Sequence, residues 1–340
     1  KPQDNSNLNY THILFEWDQI SSADSYQLQL SSNDDFSNII LDLIDSSLIH
    51  IETDVIDWSN SYFWRIRPLK NGEVFGEWTD HFSFNTNSQI SNANSQIYNS
   101  NEYSNGVTIF GAFFDYFSAA IDKDGNEIWN TGDNDIVYYN TDYYGNLFGC
   151  ELRPELEHNI PGLEFNLDSE IIWEEPNEDF MHHDIIRLPN GNYLGVVETI
   201  QNGPVPNGPW TPICYALYGP NLCNGIIEFF PWHGDKIIEW DDETKEIYWE
   251  WSTFDHFDMS DYDDIGGSWE EGLGQARYDW THVNALWFSE EESAIYISVR
   301  HLSRIIKIDY PSGEIIWSMG LEMPSGDIDF GQDILFSWQH

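Results

Sequence analysis

An internal repeat in the last two thirds of the chain most constrains what it can fold into. Four segments share an apolar strand, a turn built from Asp, Gly or Ser, and a second strand that closes on Trp: Ala120 to Trp129, Phe165 to Trp173, Ile238 to Trp249 and Ile306 to Trp317. Each reads as a β-hairpin, because Asp and Ser side chains hydrogen-bond their own backbone in a turn and Gly supplies a positive φ there. A second hairpin signal alternates with the first, at Asp142-Tyr143-Tyr144-Gly145-Asn146-Leu147 and Leu188-Pro189-Asn190-Gly191-Asn192-Tyr193-Leu194. Two hairpins make a four-stranded sheet. The closing tryptophans step by 44, 76 and 68 residues from Trp129. Those steps fit units of about 40 residues carrying loop insertions, the period of β-propeller blades. Residues 100–340 supply about four blades and the start of another, whereas a propeller closes on itself to remove its sheet edges. The expectation is a C-terminally incomplete propeller, a piece of a longer protein.

Ahead of the repeat, Ile13 to Trp17, Ser25 to Leu30 and Tyr62 to Arg67 alternate apolar and polar residues with period two, as half-buried strands do. The stretch from Asn87 to Gln96 has neither a helical nor a strand period and reads as a polar linker. The expected organisation is all-β: a sandwich over 1–87, a linker over 88–99 and a propeller over 100–340.

Charge excludes several functions. With 13 Lys and Arg against 59 Asp and Glu, the net charge is −46. A chain this acidic is repelled by phosphate backbones and anionic membrane surfaces, so neither nucleic acid nor membrane is an expected partner. Disorder is not implied, since 41% of the residues are hydrophobic and 16% aromatic, enough to build cores. No apolar run reaches the length of a membrane span; the longest, Val107 to Ile121, is broken by Asp115. Cys214 and Cys223, nine apart in a Gly- and Pro-containing stretch, suit a loop-closing disulfide in an oxidising compartment. Together with the acidic surface, this favours a secreted, periplasmic or cell-surface protein. The acidic run from Phe254 to Asp264 reads as a solvated insertion loop; it lacks EF-hand spacing, and a structural calcium there is the one cofactor considered.

Histidines recur in phase with the repeat, at His182-His183-Asp184, at Asp279-Trp280-Thr281-His282-Val283-Asn284 and at Trp338-Gln339-His340. Each group precedes or enters the first strand of a blade, the strand that lines a propeller's channel, so the side chains are expected to converge on one axial pocket. His282 and Asn284, two apart on a strand, should share a face. By the same alternation only one of His182 and His183 should enter the pocket, with His183 favoured. Arg300, one of seven arginines, lies in the next strand. A lone histidine near a strand end is ordinarily structural, but three such motifs in phase beside an Asn and an Arg argue for an anion site. A Zn or Cu site on His182, His183, His282 and His340, with Asp184 behind them, is the rival; Arg300 argues against it, because a cation beside a cation is costly.

Two resemblances extend this reading. Residues 8–86 resemble a fibronectin type III module, on Phe15-x-Trp17, Tyr26-x-Leu28-x-Leu30, Tyr62-x-Trp64-Arg65-x-Arg67, Gly76-Glu77-Trp78-Thr79 and Phe82-Ser83-Phe84. Residues 100–340 resemble the bacterial arylsulfate sulfotransferases, on His182 to Leu194, Tyr248 to Asp258, the Asp-Trp-x-His-x-Asn motif of Asp279 to Asn284, Ser298-Val299-Arg300, Ile308 to Trp317 and Gln339-His340. That second resemblance implies a six-bladed propeller that moves a sulfuryl group from a phenolic sulfate ester to a phenol, without a nucleotide or other cofactor. It implies His340 as the nucleophile that becomes transiently sulfated, and His282, Asn284 and Arg300, with His183 or His182, as the cradle of the sulfate. His282 and Arg300 would act directly in the chemistry. Neutral imidazole suits the role, being nucleophilic near neutral pH and able to leave again from an N-sulfated intermediate. Two other functions fit the same fold: a non-catalytic carbohydrate- or surface-binding propeller, and an aryl sulfate hydrolase that uses the same site with water as acceptor.

Overall fold

The computed structural model describes residues 1–340 apart from 100, 103, 105, 154–159, 177–180, 263–267 and 331–335. The described residues are all-β apart from three short helices. They divide into two compact units, Lys1–Tyr138 with Asn166–Glu170, and Tyr139–Phe165 with Ile171–His340.

The first unit begins with β1 (Ser6–Leu8), β2 (Ile13–Glu16), β3 (Ser25–Ser31), β4 (Ile39–Asp45), β5 (Ile49–Glu52), β6 (Ser61–Lys70), β7 (Glu73–Val74) and β8 (Phe82–Thr86). One sheet runs β1-β8-β6-β3-β4, with β7 on β6, and a second sheet pairs β2 with β5. The period-two pattern has its expected effect on β6, where Tyr62, Trp64 and Ile66 are buried and Phe63, Arg65 and Arg67 are not. Their inward face meets Phe15 of the smaller sheet, whose buried ring stands edge-on to Trp64 at 5.4 Å and to Phe84 at 6.1 Å. On the outer face Arg65 lies over Phe36 at 3.9 Å and Trp78 at 4.4 Å, and donates to Gln29 Oε1 at 2.7 Å. The segment after β8 is tied down: buried Glu127 accepts from the Ile90 and Ser91 amides at 3.1 and 2.7 Å.

Four sheets follow in sequence. The first is β9 (Thr108–Ala112), β10 (Phe117–Ile121) and β11 (Glu127–Asn130); the second is β12 (Ile136–Thr141), β13 (Leu147–Glu151), β14 (Gly162–Phe165) and β15 (Ile171–Glu174). The third comprises β16 (Met181–Arg187), β17 (Tyr193–Gly203), β18 (Phe230–Trp240) and β19 (Ile247–Ser252). The insertions that lengthen this unit carry α1 (Thr211–Tyr218), α2 (Thr253–His256), α3 (Ser268–Gln275) and β20 (Tyr278–Asp279), which pairs with β18. The fourth sheet is β21 (Val283–Ser289), β22 (Ala294–Val299), β23 (Arg304–Asp309) and β24 (Ile315–Gly320). Apart from β20, which runs parallel to β18, strands adjacent in each sheet are consecutive in the chain, so the repeat predicted from the closing tryptophans is present as four successive sheets.

Two of the four closing tryptophans, Trp129 and Trp249, cap turn carbonyls. Trp129 of β11 donates its indole N–H to Leu167 O, in the last turn of the second sheet, at 2.6 Å. Trp249 and Trp251 of β19 donate to Pro311 O and Gly313 O, in the last turn of the fourth, at 2.8 and 3.0 Å. In the second unit, a large ring that covers apolar surface while its N–H caps a turn carbonyl latches the third sheet to the fourth. Gly313 needs φ +80° to expose that carbonyl, which is why the turn carries glycine.

The predicted disulfide joins Cys214 and Cys223, with Cα atoms 5.9 Å apart, and closes the α1 loop against the core. The acidic run departs from the expected solvated loop. Asp261 is fully buried, pairing with Arg304 at 2.7 Å and accepting from Ser325 N at 2.8 Å, because a buried guanidinium requires a carboxylate partner. Asp263 and Asp264 of that run lie outside the described residues. No helix among the described residues is long and apolar enough to cross a membrane.

Candidate functional site

Two irregularities in strand pairing build the site. In β16 the ladder pairs Met181 with Val197 and resumes at Ile185 with Gly195, so His182, His183 and Asp184 stand opposite a single residue. His183 adopts φ 67°, a left-handed conformation costly for a side chain with a Cβ. At the head of β21 the pairing slips between Val283 and Ala285, leaving Asn284 as the extra residue, and His282 adopts φ 50°. Strand alternation therefore does not govern the first pair: His182 and His183 bring both rings to one place, 5.0 Å apart.

The imidazoles converge. His183 Nε2 and His282 Nε2 are 2.9 Å apart, one donating to the other, and His340 lies 4.9 Å from His183 and 5.9 Å from His282 between ring centroids. His182 lies 6.0 Å from His282 but turns its Nε2 to buried Asp235, at 2.8 Å. Arg300 follows β22 and packs its guanidinium over the Trp338 ring at 4.5 Å; its Nε is buried without a hydrogen-bond partner.

Asn284 donates to Gln339 O at 2.8 Å, and Gln339 in turn donates to Ser298 Oγ and Arg304 O at 3.2 and 3.1 Å. Trp338, at φ 50°, has its N–H bonded to Ser303 Oγ at 3.0 Å. The fourth sheet thus grips residues 338–340 and holds His340 beside the other rings.

Three carboxylates stand behind the histidines. Asp279 Oδ2 accepts from His282 Nδ1 at 2.7 Å, which fixes that ring with its Nε2 toward the cluster. Asp235 takes His182, the Thr281 hydroxyl and the Val283 amide, at 2.8, 2.5 and 2.8 Å, so one buried side chain orients both histidine motifs. Asp184 accepts from Leu286 N at 2.9 Å and from Asn140, crossing between the sheets that carry His183 and His282.

Environment separates the charges of these groups. Burial, reinforced by His182, His282, His340 and Arg300, drives the His183 pKa down to about 2, so its ring is neutral. Burial also lowers His340 and His301, with Arg300 and the other imidazoles adding to it. Burial works against the charged form of His182, yet its bond to Asp235 raises it. Burial works against ionisation of Asp279, but the His282 bond and the nearby histidines hold it at about 2; Asp184, desolvated without a cation, rises to about 6. The result is a neutral His340 beside a guanidinium.

The ligand atoms of His183, His282 and His340 lie within 4.8 Å of one another, as do those of Asp279, His282 and His301, so either trio has metal-binding spacing. Arg300 stands against that use of the first trio, since the guanidinium would face a bound dication.

Sequence reasoning missed two residues. His301 is buried with its ring 4.8 Å from His282 and stacked on Trp338 at 5.0 Å; its signal was its place directly after Arg300. Asp235 has no local signal, its partners lying 53 and 46 residues away in sequence.

Residues 231–327 match the arylsulfotransferase (ASST) family model, a span that includes Asp235, Asp279, His282, Asn284, Arg300 and His301. No curated protein matches the chain. Among solved structures it is similar to Kuenenia stuttgartiensis hydrazine synthase (12% identity over 73% of this chain and 58% of that one, TM-score 0.34). It is also similar to a Bacteroides caccae protein of unknown function (14%, 88% and 94%, TM-score 0.26) and to rhamnogalacturonan lyase YesW (9%, 93% and 53%, TM-score 0.29). The chain thus spans 58% of the hydrazine synthase chain, and likenesses this distant say nothing of its chemistry.

Proposed function

We propose that the chain belongs to a nucleotide-independent aryl sulfotransferase working through a sulfohistidine intermediate, with the four sheets as propeller blades and a fibronectin type III-like sandwich ahead of them. The observation that carries this reading is the convergence of neutral His340 with His183, His282 and Arg300, of which His282 and Arg300 fall within the family match. The family match alone supports a transferase acting on small aryl substrates.

In the first step an imidazole nitrogen of His340 attacks the sulfur of an aryl sulfate. The N–S bond forms as the S–O(aryl) bond breaks, and the electron pair leaves on the phenolate. Arg300 and the imidazole N–H groups of the cradle stabilise the charge on the three non-bridging oxygens. His282, held by Asp279, delivers a proton to the leaving phenolate when charged and is left as a base. In the second step an acceptor phenol gives that proton back to His282 as its oxygen attacks sulfur; the N–S bond breaks and His340 returns to neutral imidazole. Both half-reactions use the same groups in opposite order.

The disulfide and acidic surface favour a secreted, periplasmic or cell-surface location. The test is nitrophenolate release from 4-nitrophenyl sulfate by the full-length protein, with and without phenol. Release stimulated by phenol and lost in His340→Ala supports the transferase. Release indifferent to phenol marks a hydrolase, and no release from folded protein over a range of acceptors marks a binding propeller.

A further inference from the structure

The arginines of the second unit are divided unequally. Arg153 is paired with Glu151 and Glu174, Arg187 with Asp242, and Arg304 with Asp261. Arg277 and Arg300 have no carboxylate partner among the described residues, although the chain holds 59 acidic side chains. The two unpaired arginines line one cleft of about 280 Å³, together with Glu271, Gly272, Gln275, Asp279, His301 and Trp338.

That cleft adjoins the imidazoles. Asp279 is the residue that holds His282, His301 lies against the same ring, and Arg300 stands beside His340. Its own acidic groups are engaged: Asp279 by His282, and Glu271 by the Gln275 amide at 2.8 Å. Arg277 is bound only by a long contact from its Nε to Gln275 Oε1, at 3.5 Å.

The backbone that presents Arg277 is fixed. The Arg277 amide bonds back to Gly272 O at 3.0 Å, and Ala276 adopts φ 58° to make that turn at the end of α3. A Cβ on Gly272 would lie 2.8 Å from Arg277 O, so only glycine lets α3 seat against this segment. The next residue, Tyr278, stacks on Trp269 of α3 at 3.8 Å.

We infer that this cleft is a recognition subsite for a second anionic group on the substrate, so that the preferred aryl sulfates carry a carboxylate on the ring, bound by Arg277 while Arg300 and the imidazoles take the sulfate. The inference rests on the sulfotransferase reading for the sulfate end. The carboxylate end stands on the unpaired arginine, the cleft and the rigid turn. A guanidinium donates two parallel N–H bonds to a carboxylate, and one such charge-assisted contact corresponds to about a tenfold gain in affinity.

The experiment compares phenyl sulfate with 4-carboxyphenyl sulfate, by calorimetric binding and by kcat/KM in transfer to phenol, in the wild-type full-length protein and in Arg277→Gln and Arg277→Lys. Arg277 is exposed, and the circular dichroism melts of the variants check their folding. The expected result is a roughly tenfold preference for the carboxylated ester, lost in Arg277→Gln and partly kept in Arg277→Lys. Because each protein is read as a ratio between two esters, a general loss of activity does not mimic the result. Equal affinity for the two esters, or a preference that survives in Arg277→Gln, overturns the inference. Transfer without preference leaves the transferase reading standing and removes this one; preferential binding without transfer does the reverse.

Discussion

In the N-terminal sandwich, Arg65 and Arg67 are packed away: their guanidiniums lie over Trp78 at 4.4 Å and donate to Gln29 and Gln27. In the second unit Arg277 and Arg300 are left unpaired at a cleft, and His183 and His282 adopt left-handed backbone that their side chains disfavour. The left-handed residues of the sandwich, Asn5, Ser22, Phe36, Ser59 and Asn71, fall outside its strands, where such conformations are ordinary, whereas His183 lies within β16. The difference teaches where to look for function. A region that packs its guanidiniums against rings and amides and keeps its strain in turns is organised for stability, whereas one that spends conformational energy on histidines and leaves cations open is organised for a ligand.

The comparison breaks most readily at the cores. Phe15→Ala removes the ring that joins the two sandwich sheets and should cost about 4 kcal/mol of stability, read by denaturant unfolding, without changing turnover of the folded protein. A turnover loss matching the stability loss would contradict the separation of roles. Asp235→Ala should do both, costing about 3 kcal/mol by leaving buried His182, Thr281 and Val283 donors unpaired, and lowering kcat by releasing both histidine motifs. Cys214→Ser should cost about 2 kcal/mol through the lost loop closure, with the same change produced by reductant in the wild type and none by reductant in the variant.

The smallest effects are in pH dependence, and two adjacent histidines should differ in sign. His183 is held near 2 when folded but takes up a proton near its ordinary value of 6.5 when unfolded, so its contribution to stability is lost as pH falls below 6.5. His182 is raised, so its contribution is fully present below 6.5 and fades as pH rises through its folded value. Melting curves across this range should show His183→Asn flattening the acid limb and His182→Asn the other limb. The same change of slope in both variants would mean that Asp235 does not distinguish them.

Much of the fold was legible because the residues that specify it act locally. Asp122 accepts from the Asp124 and Asn126 amides within its own turn, and Asp142 repeats the arrangement with Tyr144 and Asn146, so both hairpins announce themselves. The closing tryptophans give the period. The candidate site was legible only in part. Its histidines recur at the heads of strands, which is visible in sequence, but the bulges that turn His183 and His282 together arise from strand pairing and break the alternation on which the choice between His182 and His183 rested. Asp261 looked like one more surface acid in an acidic run because its partner, Arg304, lies 43 residues on. Arg277 sits in an insertion with no repeat counterpart, so no periodicity could single it out.

The central claim is that His340 carries the sulfuryl group, and the most direct test is to trap it. Full-length protein incubated with 4-nitrophenyl sulfate and no acceptor, then digested and mapped by mass spectrometry, should carry one SO3 unit on the peptide containing His340, discharged when phenol is added. Nitrophenolate release with no covalent sulfuryl group, or with the group on another residue, would contradict the account.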